Sequence, residues 1–219
     1  MEGDRAAPGD PARGPGGRPV RLLVATGNAG KLREFRQMLE PLGFEVLGLG
    51  DLPDRPALPE DGDTFLENAR AKAWPLARRL GIPVLADDSG LAVDALGGAP
   101  GVRSARFAGP GATDAQNNAR LLAELRDVPD PGRTAAFVCA LVLALPDLGE
   151  VAAEGRVAGR ILREPRGTGG FGYDPLFLVE GLGRTAAELE PEVKNRVSHR
   201  GRALRLLLPV LRALGRGEL

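Results

Sequence analysis

The chain has 219 residues, 43% of them hydrophobic and 26% charged, which is ordinary for a globular domain and long enough for one sizeable core or two small lobes sharing one. The formal net charge is zero, so no overall field draws the protein to nucleic acid or to a membrane surface, and any anion site has to be assembled locally. One cysteine, Cys139, excludes an internal disulfide, and its apolar neighbours mark it as a small buried hydrophobe, not a nucleophile.

Residues 1–19 hold Gly, Pro, Ala and charge with no apolar run. Such a segment buries too little to offset its ordering entropy, so a disordered tail is expected, not a secretory signal. No stretch approaches the about 18 apolar residues of a membrane span. The expectation is a cytoplasmic protein with no membrane or nucleic-acid partner and a single domain over residues 20–215.

Val20–Ala25 reads as a buried strand ending in Thr-Gly-Asn, and Leu32, Phe35, Met38 and Leu39 then keep helical spacing until Pro41 and Gly43. Residues 44–49 read as a second strand and 50–62 as a Pro- and Asp-rich loop. Thr64 and Glu67 form a capping box for a helix running to about residue 80. Residues 83–86 are a strand leading into Asp87-Asp88-Ser89-Gly90, residues 92–95 continue extended, and 97–112 are loop. Thr113 and Gln116 cap a helix that ends near residue 125. Residues 135–145 and 150–162, separated by Pro-Asp-Leu-Gly, read as a hairpin. A strand over 173–179 and helical spacing over 185–189 and 197–214 complete the chain. Early alternation of strands and helices followed by a long hairpin points to an α/β protein with a mixed sheet.

Three of the 29 basic residues are lysine, Lys31, Lys72 and Lys194. In a chain so biased toward Arg, a position that stays Lys needs a compact ammonium and not a planar fork. Lys31 closes Thr26-Gly27-Asn28-Ala29-Gly30-Lys31, which joins a strand to a helix through small residues and suits an anion at a helix N-terminus. Ala25 and Leu32 depart from the P-loop pattern and decide against a Walker A site. Gly167-Thr-Gly-Gly-Phe-Gly172 satisfies G-x-G-x-x-G in form, but Tyr173-Asp174-Pro175 follows where a dinucleotide site requires a helix. What survives is a backbone-exposing loop with Phe171 available to stack on a flat ligand. Ser198-His199-Arg200, close to Lys194, reads either as a solvated basic face or as part of a site.

Glu60, Asp61, Asp63, Glu67, Asp87, Asp88 and Asp94 gather in two short regions without Cys or His at zinc spacing, so a metal there would be hard and oxygen-bound, Mg²⁺ or Mn²⁺. Glu67 reads as the capping acid, and Asp61 and Asp63 as loop residues. Asp87 to Gly90 has the composition of a turn, yet acids directly after a buried strand are where α/β sites sit, and Asp88 is the preferred functional acid.

Taken together, ATGNAGKLREF, GDTFLENARAKA, ADDSGLAVDALGGAPGVRSARFAG, EPRGTGGFGYDPLF and TAAELEPEVKNRVSHRGRAL resemble, in order and spacing, the XTP/dITP diphosphatases or inosine triphosphatases, pyrophosphatases of aberrant purine nucleoside triphosphates. The likeness runs from about residue 21 to residue 211. It implies an elongated α/β fold with a long mixed sheet, two lobes around a central nucleotide cleft, a homodimer, and Mg²⁺-dependent conversion of ITP, dITP and XTP to monophosphate and pyrophosphate. It also implies triphosphate contacts from Thr26, Asn28, Lys31 and Lys72. Glu60 and Asp88 become the metal-binding acids, with Asp88 also the catalytic proton acceptor. Ser89, Phe171, Gly172, Tyr173, Asp174, Lys194, His199 and Arg200 supply the remaining substrate contacts, with Arg200 or His199 the donor to the purine O6. Two other readings stay open at this point: a diphosphatase of related architecture acting on modified pyrimidine nucleotides, and a nucleotide-binding module without turnover.

Overall fold

The computed structural model describes residues 19–54 and 56–219, so the tail expected over residues 1–19 lies, up to residue 18, outside the described residues. Val20–Ala25 (β1) buries four consecutive side chains, Leu22 to Ala25, as an inner strand covered on both faces requires. It pairs in parallel with β2 (Phe44–Leu47) on one side and β3 (Val84–Val93) on the other. The long antiparallel hairpin of β4 (Thr134–Leu145) and β5 (Gly149–Ile161) adds to β3, and β6 (Phe177–Val179) closes the sheet. The order is β2-β1-β3-β4-β5-β6, the mixed sheet expected from the sequence.

Side-chain alternation along β3 decides what each face receives. Val84 and Ala86 join Leu23, Ala25, Val142 and Ala144 under α2 (Phe65–Leu80). Leu85 points the other way, to Leu141 and Leu143 under α1 (Ala29–Leu39) and α5 (His199–Gly215). On that second face the core is divided. Leu91, Val93, Ala135 and Phe137 belong to a separate cluster with Leu121 of α3 (Asp114–Glu124) and with Phe177. Between the two clusters lie Asp87 and Ser89, and the cleft opens there. At Gly155 of β5 the start of α5 comes so close that a Cβ would lie 2.0 Å from the His199 carbonyl oxygen and 2.5 Å from the Ala203 nitrogen. The missing side chain is what lets α5 begin against the sheet.

Several boundaries differ from the sequence expectation. Asp87 to Gly90 is not a turn: each residue is paired across the ladder to β4, so β3 runs unbroken to Val93. The extended stretch expected over 92–95 gives way to a 3₁₀ turn at Asp94–Leu96, and another, Gly101–Arg106, shapes the following loop. β2 stops at Leu47. Residues 173–176 turn instead of extending, which leaves only Phe177–Val179 as strand. The helical spacing over 185–189 is only a 3₁₀ turn at Ala186–Glu188. A short helix that was not expected, α4 (Pro191–Val197), precedes α5, with Ser198 ending the first and capping the second through its hydroxyl, which accepts from Gly201 N at 3.1 Å.

Candidate active site

The turn after β1 is built by its own side chains. Asn28 N–H donates to Thr26 Oγ1 at 3.2 Å, and Asn28 Oδ1 accepts from Lys31 N at 3.0 Å, so Asn28 caps α1 and leaves the other first-turn N–H groups unpaired within the helix. Phe171 rests on this turn: a Cβ at Gly30 would lie 2.6 Å from its ring. The two glycine-bearing loops therefore meet, and a cavity of about 360 Å³ opens beside them. Every residue expected at the site lines this cavity except Ala29 and Gly30, which form the first turn of α1 without lining it.

Asp87 and Asp88, being consecutive in a strand, point to opposite faces of the sheet. On the α2 face, Asp88 Oδ1 accepts from Lys72 Nζ at 2.9 Å and Oδ2 from Asn68 Nδ2 at 3.0 Å. Lys72 Nζ also lies 3.3 Å from Glu60 Oε1. Burial alone would lower the Lys72 pKa, but the charges of Asp88, Asp87 and Glu60 more than offset it and hold the ammonium above its ordinary value. The loop carrying Glu60 is tied down from two sides. Arg106 Nη2 donates to the Glu60 carbonyl at 2.9 Å, and Asn68 Oδ1 accepts from Gly62 N at 2.8 Å.

On the other face, Asp87 is fully buried and receives Lys31 Nζ at 2.8 Å, Ser89 Oγ at 3.0 Å and Arg200 Nη2 at 3.4 Å. Burial would raise its pKa, yet Lys31, Arg200 and Lys72 hold the carboxyl far below the usual range. Arg200 Nη1 donates to Glu34. Lys194 Nζ bridges Glu34 Oε1 at 2.8 Å and Asp174 Oδ2 at 2.7 Å. Asp174 is pushed up by burial, against the pull of Lys194, while Glu34 resists its burial through Arg200 and Lys194 and is lowered. The chain of charge from Lys31 to Asp174 thus alternates in sign at every link.

Phe171 presents its ring to Lys194 Nζ at 4.9 Å and to Arg200 Cζ at 5.9 Å, contacts of cation–π range. Lys194 therefore belongs with the aromatic end of the cavity and not with the acids of the α2 face. Tyr173 is no stacking residue: its hydroxyl is buried and donates to the Ser104 carbonyl at 2.8 Å, which anchors the loop. Gly172 N donates to Asp114 at 2.7 Å and Asn118 holds the Gly172 carbonyl at 2.9 Å. His199 stacks on Phe137, ring centroids 4.9 Å apart. Burial first, then Arg200 and Lys194, lower its pKa well below 6.5, so the imidazole is neutral at pH 7. Burial pushes the Cys139 thiol up to about 12, in keeping with an inert core residue.

Glu60 and Asp88 converge on one ammonium, so their oxygens address a common point. Two hard carboxylate donors match what Mg²⁺ takes from a protein when it keeps its other positions for water and phosphate. Among the described residues no cluster of three or more His, Cys, Asp or Glu side chains is placed to hold a metal.

The family model described as the Ham1 family matches residues 22–210. The chain belongs to the Ham1 family. A dITP/XTP pyrophosphatase of Geobacter sulfurreducens is 57% identical over 188 residues, covering 86% of this chain and 94% of that protein. A dITP/XTP pyrophosphatase of Nocardia farcinica is 54% identical over 198 residues, 89% of this chain and 96% of its own. Among solved structures, a HAM1 protein from Coxiella burnetii superposes with a TM-score of 0.78 at 43% identity over 88% of this chain and 98% of its own. The nucleoside-triphosphatase, dITP/XTP pyrophosphatase, of Mycobacterium abscessus gives a TM-score of 0.70 at 52% identity over 87% and 100%.

In this Ham1 chain three residues around the site escaped the sequence reading, Glu34, Asn68 and Arg106, while Asp87 was among the candidate acids but Asp88 was preferred. Glu34 had no local signal, because its partners Lys194 and Arg200 lie on other elements. Asn68 and Arg106 had none, because their partners lie on other elements.

Proposed function

We propose that this Ham1 protein hydrolyses ITP, dITP and XTP to the monophosphate and pyrophosphate, which keeps such nucleotides out of DNA and RNA. The observation that carries the reading is the convergence of Lys31, Lys72, Asp88, Glu60 and the stacking ring of Phe171 on one cleft. The unpaired N–H groups of the first turn of α1, with Lys31 and Lys72, hold the phosphates. Asp88, fixed on both oxygens, takes the proton of the attacking water.

The lysines arrive already neutralised by five carboxylates, Glu34, Glu60, Asp87, Asp88 and Asp174. A triphosphate therefore needs further positive charge. Glu60 and Asp88 would hold Mg²⁺, with Mn²⁺ as substitute, which when bound supplies Lewis-acid stabilisation of the phosphate oxygens.

At the other end Phe171 stacks on the base. Hypoxanthine and xanthine offer an O6 acceptor and an N1–H donor where adenine offers the reverse, and a site bonded to that edge can reject the mismatch by ~10⁴ or more. The Nη groups of Arg200 are committed to Glu34, Asp87 and Ser89. Neutral His199 keeps a ring N–H for O6, so we assign it that contact and Arg200 a supporting place.

We further propose that residues 20–215 act as one domain, that the enzyme is a homodimer, and that it works in the cytoplasm on free nucleotides. Among the described residues no helix is long and apolar enough to cross a membrane. The deciding assay measures pyrophosphate and orthophosphate separately from ITP and XTP, beside dUTP and GTP. Release of orthophosphate with accumulating IDP, or a preference for dUTP, would overturn the proposal, and light scattering of the eluting protein tests the dimer.

A further inference from the structure

Two buried polar atoms of the site have no hydrogen-bond partner, Asp87 Oδ1 and Arg200 Nε. One is an acceptor and the other a donor, and they belong to side chains that already meet. The meeting is poor: Arg200 Nη2 is 3.4 Å from Asp87 Oδ2, at the outer limit of a useful bond. Meanwhile Oδ2 receives three donors, from Lys31, Ser89 and Arg200, while Oδ1 receives none. A buried carboxylate with one oxygen crowded and the other empty is not at its best arrangement. The crowding comes from Lys31, which alone of the three donors sits in the anion loop.

We propose that Asp87 is a positioning residue whose charge partner is exchanged when phosphate enters. Lys31 leaves Oδ2 for the phosphate, and the Arg200 guanidinium closes onto Asp87 as a two-point pair, Nη2 on Oδ2 and Nε on Oδ1. Charge balance requires such an exchange. The Asp87 side chain has no exposed surface, and a buried carboxylate that loses its nearest cation is costly unless another takes its place. Arg200 is that cation: it lies on the same face, is itself buried, already touches Oδ2 through Nη2, and its Nε has no partner. The paired fork is also the geometry in which arginine binds a carboxylate most strongly.

The consequence reaches the other end of the cleft. Arg200 stands 5.9 Å from the Phe171 ring centroid and is linked through Glu34 to Lys194, which faces the same ring. Moving Arg200 toward Asp87 resets these contacts, so the base pocket takes its working form only when the phosphate end is filled. A nucleoside lacking phosphates meets an incomplete site, and base identity is read mainly in turnover.

This inference rests on Lys31 being a phosphate ligand, and the test separates the two ideas. The probe is pyrophosphate with Mg²⁺, which carries no base, added to the full chain labelled with ¹⁵N. The Arg200 Nε–H resonance is identified by its loss in Arg200→Lys. Pyrophosphate should inhibit ITP hydrolysis and move that resonance downfield as Nε acquires a bond. Inhibition with an unmoved resonance overturns the exchange and leaves the phosphate site standing. No binding of pyrophosphate overturns both. A second measurement uses Asp87→Asn, in which Lys31 is no longer held back. Pyrophosphate should then bind roughly tenfold more tightly, the scale of one ion pair, while kcat for ITP falls. A merely structural role for Asp87 would lower Tm or weaken binding, and weaker or unchanged pyrophosphate affinity in a folded variant refutes the proposal.

Discussion

Replacing Asp88 with Asn removes one negative charge and almost no volume, so it isolates what that charge does. Asp88 now satisfies two donors, Lys72 Nζ at 2.9 Å and Asn68 Nδ2 at 3.0 Å. An amide keeps one acceptor oxygen and turns its own N–H groups toward whichever donor remains. Stranding the partner of a buried ion pair costs about 3–5 kcal/mol. Lys72 is not stranded, because Glu60 stays 3.3 Å away with its side chain 43% exposed to water. The loss should therefore sit nearer that of one unmade buried hydrogen bond, about 1–3 kcal/mol, which a domain with about 5–15 kcal/mol of stability survives. Turnover should fall much further. General acid–base help alone is worth ~10²–10⁴, so kcat for ITP should drop at least ~10²-fold. Pyrophosphate release across a range of Mg²⁺ concentrations, beside urea unfolding of both proteins, checks this. A folded Asp88→Asn enzyme that turns over near the parental rate at saturating Mg²⁺ would show that Asp88 only orders Lys72 and Asn68.

The lysines give a graded expectation. Lys31→Arg and Lys72→Arg keep charge but misplace it, which can cost ~10²-fold in kcat/KM, equally for ITP and XTP; Lys194→Arg, beside the Phe171 ring, should instead change the ratio of ITP to ATP hydrolysis. His199 makes stability acid-sensitive: its folded pKa is depressed, so its contribution is full above the unfolded value near 6.5 and is lost as pH falls toward the folded value, by up to about 1.4 kcal/mol per pH unit. Urea midpoints of the parent and His199→Gln between pH 7.5 and 5 should converge on acidification, and parallel curves would refute the buried neutral imidazole. Gly155→Ala should destabilise by several kcal/mol or prevent folding, because the new methyl meets the backbone at the start of α5; an unchanged Tm would mean that α5 does not pack as described.

The periodicity arguments succeeded where neighbours in sequence decide the structure. Thr64 and Thr113 cap their helices in the expected boxes, with Glu67 acting as the capping acid. They failed where distant elements decide it. Asp-Asp-Ser-Gly has turn composition, yet β4 pairs with all four residues, and tertiary pairing overrides local preference. Gly90 is needed there for closeness, since a Cβ would lie 2.4 Å from the Gly101 carbonyl oxygen and 2.3 Å from Ser104 Oγ. Asp87 and Glu34 were passed over for the same reason. Their arginine partner is 113 and 166 residues away, and no local pattern announces such a pair.

The three scarce lysines all line the one cleft, and the fold gives a reason for their being Lys. Lys72 and Lys194 are each held by two carboxylates and Lys31 by one, and their side chains are 3%, 10% and 14% exposed. A small ammonium with freely rotating donors fits between carboxylates on different elements, whereas a planar guanidinium suits one carboxylate approached edge-on. Pairing inside the protein is therefore a reason of its own for these positions to be Lys, beside the proposed contact with phosphate. The same pairing explains why the cleft can bury several cations at once, and it is the ground for the proposed exchange of partners at Asp87.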